Sequence, residues 1–154
     1  MFTRIVIAND GSEGGFRALS VACDVAKRYR APLHMISVEE LPNVPASIDE
    51  VIEAKDEENH KFHDVVARAR AVGKAKKVKL ETEVVAGHVV AAILARVKQL
   101  NADLLVVGFM GHSALYQRII GGTADRLVRL APCPVRSYSC SSPRSRRKSR
   151  GCTL

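Results

Sequence analysis

The 154-residue sequence contains no apolar run near the ~18–20 residues that a membrane-spanning helix needs. Its opening, Arg4-Ile-Val-Ile-Ala8, has no basic leader and no long apolar stretch ending in small residues. A secretory signal is therefore not expected, and the cytoplasm is the default compartment. The four cysteines, Cys23, Cys133, Cys140 and Cys152, include no CxxC pair, so neither a zinc knuckle nor a dithiol redox centre is signalled. Cys23 falls within an apolar helical pattern and reads as a reduced core residue. Cys133 sits between two prolines, and the position of Cys152 does not make a prenylation box. Also missing are a His-Glu-x-x-His pair, a Gly-x-Ser-x-Gly elbow and a Gly-x4-Gly-Lys-Ser/Thr loop. His60 and His63 stand at helical spacing with Glu57, an arrangement that reads as a solvated helix face rather than a metal site. No catalytic and no metal-ligating residues are expected, and no internal repeat is present.

Acidic residues are absent after Asp125, and this absence locates the net charge of +8. Arg144, Arg146, Arg147, Lys148 and Arg150 supply five of those charges, leaving +3 on residues 1–143. The basic excess belongs to a Ser/Arg-rich tail, residues 139–154. Its apolar content is too small to offset ordering entropy, so it is expected to be disordered. No membrane partner is expected, and nucleic acid is not expected except through that tail.

The remainder, residues 1–138, has the length of one domain, and the hydrophobic fraction of the whole chain, 47%, is ordinary for a globular protein. Thr3–Asn9 reads as a buried strand rich in β-branched residues, followed by the turn-rich Asp10-Gly-Ser-Glu-Gly-Gly15. Phe16, Leu19, Ala22, Cys23 and Ala26 repeat at helical period over residues 16–29. Pro32 then separates that helix from a strand over Leu33–Val38. Pro42 and Pro45 mark a loop, and a charged helix is expected over Ile48–Gly73 with Ile52, Phe62, Val65, Val66 and Ala69 on one stripe. Val78–Val85 alternates as a half-wet strand. Val89–Leu100 follows as a helix with Val90, Ile93, Leu94 and Val97 inward.

Leu104-Leu-Val-Val107 is apolar throughout, as a central parallel strand covered on both faces should be. Residues 108–122 read as a loop, Thr123–Leu130 as a last helix stopped by Pro132 and Pro134. Strand and helix alternation of this kind implies an α/β fold: a single doubly wound, mostly parallel open sheet with helices on both faces. Ligands of such sheets lie beyond the C-terminal ends of the strands. Three segments meet that description: Ala8-Asn9-Asp10, Val38-Glu39, and the chain from Gly108.

The last of these is the most informative. Gly108-Phe-Met-Gly111 is followed, after nine residues, by Gly121-Gly122-Thr123. Glycines after a buried strand let backbone approach a ligand without an intervening Cβ. N–H groups ending at a helix start then suit a polyphosphate. The alternative is that these glycines only make tight turns and close helix–strand packing.

The spacing Gly-x2-Gly-x9-Gly resembles that of the nucleotide-binding class of the universal stress protein family. So do Ile5-Val-Ile-Ala-Asn-Asp-Gly-Ser12, Gly87 before the third helix, and Gly122-Thr-Ala-Asp-Arg-Leu-Val-Arg-Leu-Ala-Pro-Cys-Pro-Val135. The resemblance covers residues 3 to about 135 and implies an adenine nucleotide alpha hydrolase-like fold that binds ATP, with Mg2+ or Mn2+ as candidate accompanying ions.

It further implies that Asp10, with Ala8, Asn9 and nearby backbone, holds the adenine, and that Val38 adds backbone contacts. Gly108 and Gly111 would approach ribose and inner phosphates. Gly121 and Gly122 would donate N–H groups to the outer phosphates, with His112 and Thr123 close by. Asp10 also reads as a turn or capping residue, and Ser12 as a helix cap. This sequence has Ala8 where the family often has Pro, and Gly122 where it has Ser or Thr. The family's apolar final strand, which pairs across a homodimer, is here Val135-Arg-Ser-Tyr138, expected to be short or weak. The function implied is an ATP-binding stress-response module that signals or binds according to its nucleotide state. Two alternatives are a slow ATP hydrolase or nucleotidyl-transfer enzyme, and a nucleotide-free interaction protein.

Overall fold

The computed structural model describes residues 1–40, 48–109 and 122–139, with only the course of the backbone for 48–61, 109 and 139. Five strands and four helices alternate. They are β1 (Ile5–Ala8), α1 (Glu13–Tyr29), β2 (Leu33–Glu39), α2 (Ile48–Lys76), β3 (Leu80–Ala86), α3 (Val89–Gln99), β4 (Leu104–Phe109), α4 (Thr123–Leu130) and β5 (Val135–Ser139). The sheet order is β3-β2-β1-β4-β5, and every pairing is parallel.

β1 is central because nothing in it tolerates water. Ile5 and Ile7 face one way, into a core shared with α1 and α2, while Val6 and Ala8 face the other, into a core shared with α3 and α4. All four are buried. Burying an aliphatic side chain of this size contributes about 1.5–3 kcal/mol, so four residues fix both layers of the molecule. The helical stripes follow the same logic: Phe16, Leu19, Ala22, Cys23 and Ala26 of α1 are buried, as are Phe62, Val65 and Ala69 of α2 and Ile93 and Val97 of α3.

Most boundaries fall within one to three residues of the sequence reading, and three differences bear on the site and its supports. α2 continues through Gly73 to Lys76 and stops at Lys77, whose φ is 57°. β4 runs on through Gly108 and Phe109, which the glycine placed in a loop, because Gly108 still pairs with Tyr138 of β5. β5 is a five-residue strand despite its polar composition. α1 terminates at Arg30 (φ 55°), whose N–H donates to the carbonyls of Ala26 and Lys27. Arg30 and Lys77 thus hold the left-handed conformation that usually selects glycine, at a cost of roughly 1 kcal/mol each.

The chain runs outward from β1 to β2 and β3, then returns through α3 to β4 on the other side of β1. Crossovers therefore diverge between β1 and β4, the switch point beyond whose C-terminal strand ends a ligand crevice is expected in such sheets.

Candidate functional site

The first wall of that crevice is the turn after β1. Asn9 is 2% exposed. Its N–H donates to the Ile36 carbonyl at 3.0 Å, and its own carbonyl accepts from the buried Ser37 hydroxyl at 2.8 Å. The side-chain oxygen accepts from Gly11 N–H at 3.0 Å, and Nδ2 contacts Met35 Sδ at 3.5 Å. Asp10 repeats the device one residue on, its Oδ1 accepting from Ser12 N–H at 2.9 Å. Gly11, with φ 82°, completes the bend, and Ser12 caps α1 by accepting from Gly15 N–H at 3.0 Å. The capping role expected of Ser12 is seen, and Asp10 braces the turn from an exposed position. Asn9, by contrast, spends its amide inside the fold.

The second wall is the end of β4, which lies against α1 with no side chain between. A Cβ on Gly108 would sit 2.3 Å from the Gly14 carbonyl oxygen and 2.7 Å from Gly15 Cα. One on Gly15 would sit 2.2 Å from Asn9 Oδ1. Gly108 is therefore a close-packing glycine, the alternative that the spacing left open for it. Gly14 and Gly15 were missed by motif reasoning. Their signal was present, since a Gly-Gly pair in the first turn of a helix is unfavourable unless something presses on it.

The third wall is the start of α4. Gly122 is its N-cap, with φ −58° and no side chain to accept from the first helical N–H groups, and Thr123 is exposed. Among the described residues, no atom lies within 4 Å of where a Gly122 Cβ would be. Val38 is half-buried at the end of β2, opposite Val85. Ala8, the last residue of β1, is buried against the α3–α4 side. Gly111, His112 and Gly121 lie outside the described residues, as does the tail from Cys140.

A longer-range brace holds this edge. Arg68 of α2 pairs with Glu13 at 2.8 Å and lies 3.8 Å above the Phe16 ring, which ties α2 to the first turn of α1. The Arg68 hydrogen bond holds the Glu13 carboxyl below its usual range, and the arginine's charge adds to this. Cys23 is a free thiol pushed up to about 11 by burial, and burial likewise raises the half-buried Cys133. Neither thiol has the depressed pKa of a nucleophile. Among the described residues no three His, Cys, Asp or Glu side chains gather as metal ligands, and no helix is long and apolar enough to cross a membrane.

This geometry defines a class: an all-parallel, doubly wound α/β protein, five-stranded among the described residues, with closely packed glycines at its switch point. The Universal stress protein family matches residues 1–136, and the chain belongs to that family. It is 27% identical over 140 residues to universal stress protein MJ0531 of Methanocaldococcus jannaschii, a match spanning 88% of this chain and 81% of that one. Against universal stress protein YxiE of Bacillus subtilis the identity is 29% over 144 residues, spanning 88% and 97%.

Among solved structures, a universal stress protein in complex with cAMP superposes with a TM-score of 0.70 at 20% identity, covering 88% of this chain and 96% of the other. The Archaeoglobus fulgidus protein in complex with dAMP gives 0.60 at 18%, covering 88% and 97%. An Arabidopsis thaliana family member with AMP bound gives 0.63 at 18%, covering 89% and 91%. At these identities the likeness is one of fold.

Proposed function

We propose that the chain binds an adenine nucleotide, with ATP as the working form, in the crevice between β1 and β4, and acts as a nucleotide-dependent stress-response module in the cytoplasm. The observation that carries this reading is the meeting, at one switch point, of a braced Asp10 turn, a β4 end stripped of side chains and an α4 start with no side-chain cap. The residues fit the ligand. The Asp10 carboxylate accepts from the exocyclic amine of the base, with Val38 backbone alongside, and uncapped N–H groups at Gly122 and Thr123 favour phosphate through hydrogen bonding and the helix dipole. Gly111, Gly121 and His112 complete the phosphate end, and Mg2+ or Mn2+ would accompany the triphosphate. Ligands bound by three relatives of the same fold, cAMP, dAMP and AMP, share the adenine base and support the assignment. Residues 1–138 form the binding domain, residues 139–154 a basic appendage, and the working assembly is a homodimer paired through β5.

Titration calorimetry tests the site. Gly111→Val should weaken ATP binding by at least tenfold, ~1.4 kcal/mol. Asp10→Ala should weaken adenosine and ATP alike, because it acts on the base. Wild-type protein that binds ATP no better than inorganic phosphate at millimolar concentration would remove the reading.

A further inference from the structure

The opposite edge of the sheet, where the strands begin, holds a surface whose charge the overall composition conceals. Its loops are joined by backbone hydrogen bonds: Ile5 N–H to Pro32, Leu33 N–H to Lys79, Asp103 N–H to Arg4. Helices α1 and α2 end there together, linked by Lys76 Nζ and Asp24 at 2.7 Å. The acids at this edge are all engaged. Asp24 holds Lys76, Glu81 holds His34 at 3.1 Å and Lys79 at 3.5 Å, and Asp103 accepts from Thr3 and Arg4. Lys27, Arg28, Arg30, Lys74 and Lys77 are exposed and have no carboxylate partner among the described residues.

Cations in the last turn of a helix are expected, since they offset the helix dipole, and Lys27, Arg28 and Lys74 fall under that rule. Arg30 and Lys77 do not. They lie past the helix ends, in left-handed backbone that glycine would occupy with less strain, and their side chains form no ion pair among the described residues. Retaining a strained cation where glycine fits better, twice, on the two neighbouring loops that lead into β2 and β3, points to use of the charge itself. Aromatic surface accompanies it. Tyr29, between Arg28 and Arg30, is half-buried and stacked edge-on against Phe2, with ring centroids 5.2 Å apart.

We propose that this basic edge is a second binding surface, distinct from the nucleotide crevice, and that it takes single-stranded nucleic acid. The cations would contact phosphates, and the Phe2–Tyr29 pair would offer a face to bases. Insertion into a lipid surface needs aromatic side chains that project clear of the fold beside the cations, whereas Phe2 and Tyr29 are held half-buried against the core of α1 and α2, which favours the nucleic acid.

The test is fluorescence anisotropy with a labelled 20-nucleotide oligothymidylate, using the full chain at several salt concentrations. Two variants are compared with wild type: the double substitution Arg30→Gly/Lys77→Gly, and a full-length chain with Arg144, Arg146, Arg147, Lys148 and Arg150 changed to Gln. The glycine pair should weaken binding about tenfold at low salt and flatten the salt slope by about 1.4, two phosphate contacts at ~0.7 each. The same pair should raise the melting temperature, because it relieves strained backbone. That combination separates a binding role from a structural one. The tail variant should keep the part of the binding that the glycine pair removes. Binding that vanishes in the tail variant and is unchanged in the glycine pair overturns the proposal. So does wild-type protein that ignores the oligonucleotide but sediments with vesicles of phosphatidylcholine containing phosphatidylserine.

Discussion

The two edges of this sheet are built from opposite materials. At the C-terminal edge, the turn after β1, the first turn of α1, the end of β4 and the start of α4 are made of glycine and short polar residues that bare the backbone. At the N-terminal edge the loops carry long cationic side chains over the same strands. The fold explains part of the difference: in a parallel α/β layer every helix starts at one edge and ends at the other, so dipoles add in one sense. Geometry supplies the rest. One edge needs close approach and excludes side chains, and the other needs reach.

Six substitutions test this contrast, the largest effect first. Gly108→Ala should destabilise the domain by about 1–3 kcal/mol, since its Cβ meets Gly14 backbone that cannot swing aside. Gly122→Ala, on the same edge in open space, should move the urea midpoint far less, and equal shifts would show that the seam at Gly108 is loose. Asn9→Ala should cost about 1–3 kcal/mol by stranding the Gly11 N–H. In that background Gly15→Ala should cost much less than alone, because the Asn9 oxygen it would strike is gone. Additive costs in the double-mutant cycle would refute the contact.

Asp103 tests the other edge. Burial works to raise its pKa, but hydrogen bonds from the Thr3 side chain and from the Arg4 and Thr3 N–H groups prevail and lower it. A depressed folded pKa means the contribution is fully present above the unfolded value, about 3.9, and is lost as pH falls through the folded one. Asp103→Asn should cost about 1 kcal/mol at neutral pH. It should also flatten the acid limb of melting temperature against pH, and an unchanged limb would mean solvent already screens the group. Gly122→Ser, last, should stabilise by a few tenths of a kcal/mol as a better N-cap and tighten ATP without affecting AMP. No gain for ATP would place that hydroxyl away from the outer phosphate.

Sequence periodicity captured the layers well because they depend on burial. Of the stripes predicted from spacing, Phe16, Leu19, Ala22, Cys23, Ala26, Phe62, Val65, Ala69, Ile93 and Val97 are buried, while Val66, Val90 and Leu94 are half-buried at the margins of the two cores. Glycine was harder to read, because one residue serves three physical roles. At Gly73 it permits close packing on Leu80 inside a helix that continues, at Gly108 it does so inside a strand, and at Gly11 and Gly87 it supplies a positive φ at a turn. Which role applies depends on what lies opposite, and one chain's local pattern does not contain that. Charge had the same limitation. A net +3 over residues 1–143 averages over the basic edge, and segregation appears only when Arg30 and Lys77 are brought to one side.

The two outer strands also differ, and this bears on assembly. β3 carries Glu81 and Glu83, both already paired within the chain, Glu81 with His34 and Lys79 and Glu83 with Arg96, so a copy added there would meet side chains that are already committed. β5, reading Val135-Arg-Ser-Tyr-Ser139, carries a single charge and no ion pair among the described residues. The two borders thus differ in how much internal pairing a new strand would disturb, and the pairing proposed through β5 is the one that disturbs least.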